Sequence, residues 1–287
     1  MLPVKYQQFY DDLRAFLPEQ RLFTDPLRTL TYGTDASFYR LIPKIVIKAD
    51  CETEVSRILQ AADRHNIPLT FRAAGTSLSG QAVTDSVLVV CGGNWNAHEI
   101  LDDGHRIRLQ PGVVGGHANR YLAPYGRKIG PDPASINAAM IGGIVANNAS
   151  GMCCGVAQNS YQTIHSMRIL FHDGTLLDTA DEKSRAHFKQ AHARLFDDIV
   201  QLSESVRANT ELAERIRQKF KIKNTNGYSL NALVDFTDPI DILLHLMIGS
   251  EGSLGFISEV IYDTVVEHPD KASALMIFPD IYQNTRE

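Results

Sequence analysis

The sequence predicts an α+β fold that opens with a small β-α-β lobe, and three observations predict it. An apolar stretch at 45–47, a helical pattern and a second apolar stretch at 69–71 form the signature of a β-α-β unit. Further strand patterns at 87–90, 107–109 and 167–178 are interleaved with helical ones, so neither element type dominates. Three glycine-rich segments, 72–81, 130–151 and 249–259, each stand at an end of a predicted strand or helix. A chain of 287 residues can bury a sizeable core as one large domain or as two lobes.

Taken in order, residues 5–17 place Tyr6, Phe9, Tyr10, Leu13, Phe16 and Leu17 at helical spacing, and Pro18 ends the run. This is an amphipathic helix laid on the main body. Residues 30–43 are rich in aromatics, hydroxyls and turn formers, and 45–47 form a short buried strand. Val55, Ile58, Leu59 and Ala62 mark one face of a helix that Asn66 and Pro68 close. The strand at 69–71 carries the first glycine-rich loop at its end, and 87–90 is the third strand. Another strand begins at 107–109, and 117–122 is a short helix that stops before Gly126. Residues 167–171 and 176–178 flank Asp173-Gly174, a strong hairpin signal. Residues 182–220 read as helices, with Phe188, Leu195, Phe196, Ile199, Val200 and Leu202 on recurring faces. Asp238-Pro239 supplies the N-cap and first-turn proline of a helix through Leu246 that ends near Gly249. A strand follows the third glycine segment, and another apolar segment begins at 272–278. No internal repeat or low-complexity stretch interrupts this order.

Composition narrows the classes. Hydrophobic residues make up 44% and charged residues 21%, the balance of a soluble globular chain. A formal charge of −5 and the lack of any Lys/Arg block argue against a general nucleic-acid binder. The N-terminal M-L-P-V-K-Y-Q-Q-F-Y-D-D has no apolar h-region and no run approaches membrane-spanning length, so a cytoplasmic location is expected, with membrane association through missing parts as the alternative. Cys51, Cys91, Cys153 and Cys154 form no C-x-x-C pair and are expected to be reduced thiols. No H-E-x-x-H or other metal-ligand spacing occurs, so no metal site is expected. His165 and His172 flank a strand and read as surface or structural groups, whereas His245 reads as a satisfied core histidine.

The first glycine segment is F-R-A-A-G-T-S-L-S-G-Q-A at 71–82. Glycines there let backbone N–H groups converge on oxyanions, and the hydroxyls add donors without bulk. Gly75 and Gly80 have P-loop spacing, but Gln81 stands where the lysine is required, and the pattern is not G-x-G-x-x-G either. Alone, the loop reads equally as a surface turn or a phosphate cradle. The later segments are G-P-D-P-A-S-I-N-A-A-M-I-G-G-I-V-A-N-N-A-S-G and G-S-E-G-S-L-G-F-I-S-E-V. Three such segments point to a long anionic ligand gripped along its length, a dinucleotide rather than a mononucleotide.

These three motifs resemble those of the flavoproteins with a vanillyl-alcohol-oxidase or p-cresol methylhydroxylase (PCMH) type FAD-binding domain. Within them the D-lactate / D-2-hydroxyacid / glycolate dehydrogenase group is most similar, over residues 30–270. Y-G-T-D-A-S-F-Y and K-N-T-N-G-Y-S-L-N resemble the large branch that carries an iron–sulfur module further along. The resemblance implies a two-lobed α+β PCMH-type domain at 39–268, a small βαβ lobe (39–100) plus a larger mixed sheet with flanking helices (105–268). Residues 1–38 would be an N-terminal helix and lead-in, and 269–287 the start of a substrate domain cut short.

Carried over by position, Arg72, Ala73, Ala74, Gly75, Thr76, Ser77, Gly80 and Gln81 would wrap the FAD diphosphate. Pro131, Asp132 and Ser135 would approach the flavin, and Gly142 and Gly143 would pack against the dinucleotide. Asn148, Ser150 and Gly151 would hold ring or ribitol polar atoms, while Glu251, Gly252 and Ile257 would close the adenine or ribitol side. Thr76 and Ser77 stand where members with covalent flavin place a histidine, so non-covalent FAD is expected. Cys153-Cys154 replaces a tyrosine-containing sequence, with a cysteinyl link as the minor alternative. Tyr39 and Arg40 are read either as facing flavin or substrate or as lobe packing.

The implied activity is oxidation of a small D-2-hydroxyacid (D-lactate, glycolate or 2-hydroxyglutarate), with the C2 hydrogen passing as hydride to flavin N5. Electrons would go on to a quinone, cytochrome or iron–sulfur module, any such cluster lying in the missing C-terminal part. No catalytic residue is assigned, because the resemblance puts the substrate groups after the FAD domain, and the chain alone is expected to be poorly active. Two alternatives stand beside this: the NADPH-dependent UDP-N-acetylenolpyruvoylglucosamine reductase, which shares the fold, and a non-catalytic flavin-binding subunit.

Overall fold

Short apolar runs flanked by helix caps set up the N-terminal half. The chain runs through α1 (Val4–Arg14), β1 (Leu22–Phe23), α2 (Pro26–Thr31), β2 (Ile45–Ala49), α3 (Glu52–His65), β3 (Leu69–Arg72) and β4 (Val87–Cys91). The computed structural model describes residues 2–91, 93–270, 272 and 274–278. The sheet order is β1-β2-β4-β3, with β2 and β3 each parallel to β4 and β1 antiparallel to β2. The β-α-β unit is present, and β4 enters between its two strands. Val55, Ile58, Leu59 and Ala62 of α3 are buried as their spacing predicts, and Asn66 closes the helix in the left-handed region at φ 50°. Tyr6, Phe9 and Leu13 of α1 join the same core, so the leading helix completes this lobe.

The second half contains β5 (His98–Leu101), β6 (Arg106–Leu109), α4 (Gly115–Leu122), β7 (Arg127–Lys128), α5 (Ile141–Asn147), α6 (Ser160–Thr163), β8 (Ile164–Leu170) and β9 (Leu176–Asp178). It continues with α7 (Glu182–Ala191), α8 (Ala193–Ala208), α9 (Thr210–Lys219), α10 (Ala232–Asp235), α11 (Pro239–Met247), β10 (Phe256–Asp263) and β11 (Val265–Val266). The five-stranded sheet has the order β5-β6-β10-β8-β9 and is antiparallel at every pairing. The expectation of a larger mixed sheet is corrected here: the mixed sheet is the small one. Strands joined by short hairpins must run antiparallel, and β10 enters between β6 and β8 against both.

Local signals hold in this lobe. The β8–β9 hairpin turns at Gly174, φ 82°, pressed so close to α3 that a Cβ would lie 2.7 Å from the Ser56 carbonyl oxygen. Asp238 caps α11, accepting from the amides of Ile240 at 2.7 Å and Asp241 at 3.3 Å. His245 is a satisfied core histidine: its Nδ1 donates to the Asp241 carbonyl at 2.7 Å, it stacks on Phe236, and burial depresses its pKa.

The lobes are joined by side chains, not only by chain. Leu170 and Phe256, at the ends of β8 and β10, belong to the small-lobe core with Trp95. The Trp95 Nε1 donates to the Ala49 carbonyl at 2.7 Å. In the first turn of α3, Glu52 accepts from Arg168 at 2.8 and 2.7 Å and from Ser258 at 2.6 Å. Burial raises its pKa, but these donors outweigh burial and hold Glu52 below the usual carboxylate range. Within 272–278, the described residues form no helix or strand, and Leu275, Met276 and Ile277 are exposed. The rest of the expected substrate-domain start, 271, 273 and 279–287, lies outside the described residues. Among the described residues, no helix is long and apolar enough to cross a membrane.

Candidate functional site

A cavity of about 1040 Å³ opens at the carboxyl end of β3. That is the size of the largest small-molecule pockets, roughly 300–1,000 Å³, and the end of a parallel strand is where ligands of such sheets bind. All three glycine-rich segments line it. Of the expected site residues, all reach the cavity wall except Gly80, Pro131 and Asn148. Gly80 instead lies under the Tyr39 ring, where a Cβ would come within 2.7 Å of Cδ2. Pro131 is buried beside the wall. Asn148 ends α5 in the left-handed region at φ 52°, and its side chain accepts from the Tyr161 amide at 3.3 Å. Tyr39 and Arg40 do not line the cavity.

The first wall is the loop after β3. Arg72, only 8% exposed, donates from Nε to the Ala82 carbonyl at 2.8 Å and from Nη2 to the Tyr32 carbonyl at 3.0 Å. Burial lowers its pKa from the usual arginine value. Two of its three guanidinium nitrogens therefore tie off the loop. The amides of residues 73–78 find no acceptor among the described residues. Gly75, at φ 70°, permits the turn, and the Ser77 hydroxyl donates to Gln81. A run of unpaired amides on a cavity wall is a donor set for an oxyanion.

The second wall is α5 with the loop that follows. Gly142 packs on Pro111, where a Cβ would approach the proline Cβ to 2.7 Å. Gly143 has nothing within 4 Å of its missing Cβ, and its amide has no acceptor among the described residues. Asp132 accepts through Oδ1 from Gly151 at 2.8 Å and Cys154 at 3.2 Å, and through Oδ2 from Cys153 at 3.1 Å. Burial opposes its ionisation, but Cys154 and the amide donors outweigh burial and keep its pKa below the ordinary value. The carboxylate is thus a brace for 151–154. Burial pushes the Cys154 thiol up, while Cys153 is exposed on the lining.

The third wall carries Glu251, which holds φ 53° without being glycine. Its amide donates to the Ala146 carbonyl at 2.9 Å, and its Oε1 accepts from Asn147 Nδ2 at 2.5 Å. Burial raises its pKa. Sequence reasoning missed Asn147, Lys223, Thr225 and Cys91, whose thiol burial pushes up to about 12. The one signal for Lys223 was the density of polar groups in 220–233; its Nζ donates to the Ser150 carbonyl.

Comparison with known proteins agrees with this geometry. Residues 43–180 match the family model described as FAD binding domain. The chain is 27% identical over 270 residues to the D-2-hydroxyglutarate dehydrogenase of Haemophilus influenzae, covering 88% of this chain and 25% of that one. It is 34% identical over 145 residues to glycolate oxidase subunit GlcD of Escherichia coli, covering 50% of this chain and 29% of that one. The chain thus spans about a quarter of the length of these curated relatives. Among solved structures, alkyldihydroxyacetonephosphate synthase superimposes with a TM-score of 0.60 at 18% identity, over 92% of this chain and 42% of that one.

The cavity residues fit FAD: unpaired amides at 73–78 suit its diphosphate, and the bare Gly143 leaves a flat bed that a Cβ would fill. Residues 43–180 of this chain match an FAD binding domain, and the chain has the fold of the PCMH-type flavoproteins.

Proposed function

We propose that the chain is the FAD-holding portion of a flavoenzyme that oxidises a small D-2-hydroxyacid of the lactate, glycolate or 2-hydroxyglutarate class. The observation that carries this reading is the row of unpaired amides at 73–78, facing a cavity lined by the other two glycine segments. Ala73 to Ser77 and Gln81 bind the diphosphate, and Arg72 holds their loop closed. Gly142 and Gly143 form the bed, Ser135, Ser150 and Asn147 offer polar contacts, and Glu251, Gly252 and Ile257 close the remaining side. FAD is held without a covalent bond. When bound it supplies the hydride acceptor, at N5, for the substrate C2 hydrogen. The names of the relatives, hydroxyacid dehydrogenases and an oxidase subunit, support the reaction class.

The proton acceptor for the substrate hydroxyl has no evident source on the described wall. Asp132 is occupied by three backbone amides and Glu251 by Asn147. The chain alone is therefore expected to reduce its flavin slowly with D-lactate, glycolate or D-2-hydroxyglutarate. The test is FAD titration of the purified chain, followed by anaerobic addition of each acid while the flavin absorbance is followed. Failure to take up FAD sinks the reading. Rapid bleaching by NADPH and by none of the acids replaces the hydroxyacid with the enolpyruvyl-reductase class.

A further inference from the structure

Four charged side chains line the cavity: Arg72, Asp132, Lys223 and Glu251. Arg72 spends Nε and Nη2 on carbonyls and keeps only Nη1 without an acceptor among the described residues, and Asp132 accepts from three backbone amides. Glu251 is an acceptor already bonded to Asn147. Lys223 differs from all three. Its ammonium makes one hydrogen bond, to the carbonyl of Ser150, and a lysine has three donors. No carboxylate pairs with it among the described residues. It is tethered by a neutral carbonyl.

We propose that Lys223 is an oxyanion-holding side chain of this cavity. The proposal rests on the cavity being the cofactor and hydroxyacid site argued above. The partner chemistry is a phosphate or carboxylate oxygen, and that site offers two sources: the diphosphate of the dinucleotide and the carboxylate of the substrate. The first wall offers neutral amides and hydroxyls beside the one guanidinium nitrogen of Arg72, Nη1, that has no acceptor among the described residues. A diphosphate or hydroxyacid enters carrying negative charge that Lys223, held by a single neutral carbonyl, has two spare donors to meet. A charge-assisted hydrogen bond of this kind is about twice as strong as a neutral one. Lys223 is exposed and lines the cavity, so it can meet a ligand without rearranging the core.

The test titrates inorganic diphosphate, oxalate and riboflavin into the full chain by calorimetry, riboflavin carrying the flavin ring without an oxyanion. Lys223→Gln is expected to weaken diphosphate or oxalate at least ~10-fold, Lys223→Arg to stay within ~3-fold of wild type, and riboflavin to be unchanged. The difference between wild type and Lys223→Gln should shrink as salt rises, which a packing defect would not reproduce. A loss confined to diphosphate assigns Lys223 to the dinucleotide, and a loss confined to oxalate assigns it to the substrate carboxylate. Equal affinities in wild type and Lys223→Gln, a parallel loss of riboflavin, or no binding of either anion by the wild type overturns the proposal. FAD uptake is read separately: its absence sinks the cofactor reading, while the two anion titrations still judge Lys223.

Discussion

The loop after β3 and the loop after α5 face the same cavity, and they are held in opposite electrical senses. In the first, a buried guanidinium takes carbonyl oxygens at Ala82 and Tyr32, and the amides of 73–78 are left unpaired. In the second, a carboxylate takes the amides of Gly151, Cys153 and Cys154. Bracing by a cation frees donors for a ligand, whereas bracing by an anion uses them up. The first loop is therefore built to meet negative charge, and the second is built to keep its shape.

Removing the cationic brace should have the largest effect. Arg72→Met leaves two carbonyls without their donor, at about 1–3 kcal/mol each for buried groups, so a loss near 3 kcal/mol is expected in urea unfolding. FAD affinity should fall with it, because the loop would have to be ordered on binding. Arg72→Lys should recover little, since a lysine cannot reproduce the planar fork. Wild-type stability and FAD affinity in Arg72→Met would refute the bracing role.

The glycine pair at the start of α5 separates shape from ligand. Gly143→Leu projects into open cavity, so Tm should stay within ~2 °C while FAD affinity falls roughly 100-fold, about 2.7 kcal/mol. Gly142→Leu meets Pro111 and should instead lose about 1–3 kcal/mol of stability through overpacking. Flavin fluorescence titration and thermal melting of both variants decide this, and a reversed pattern would mean that the wall is misassigned.

Asp132→Asn tests the anionic brace. It removes the charge and one acceptor oxygen, with an expected cost of about 1–2 kcal/mol and little change in FAD affinity. The pH dependence follows from its depressed pKa. The stability Asp132 contributes is present above the unfolded carboxylate range and is lost as pH falls through the folded value. Wild type and variant should therefore converge in acid, as read by denaturant midpoints from pH 7 downward.

Much of this frame was legible in the chain. Strand starts, the α3 face with its Asn66 stop, the Asp238-Pro239 cap and the three glycine segments are local signals, set by residues within a turn of one another. What escaped was direction. Arg72 and Asp132 line the cavity, but their side-chain partners lie at Tyr32, Ala82 and 151–154, and only tertiary packing brings these together. Asn148 was read as a ligand group, yet its αL backbone makes it a helix terminator and turns its side chain to Tyr161. The antiparallel large sheet depends on where β10 inserts, which no strand's own pattern encodes.

The smallest predicted effect has the opposite sign. Glu251 sits on the third wall in a left-handed conformation, and burial raises its pKa above the unfolded value. A carboxyl raised in this way contributes stability that is fully present below the unfolded pKa and is lost as pH rises through the folded one. At pH 7 the wild type therefore carries a half-buried carboxylate that works against folding. Glu251→Gln removes the charge and keeps an oxygen to accept from Asn147. The variant should be more stable at pH 7 by about 0.5 kcal/mol, a figure kept small by partial exposure, and the gap should close toward pH 4. Urea unfolding at both pH values measures it, and a variant less stable than wild type at pH 7 would show that the ionised carboxylate is favourably held. A simultaneous loss of FAD affinity would mark Glu251 as a residue kept for the ligand at the expense of the fold.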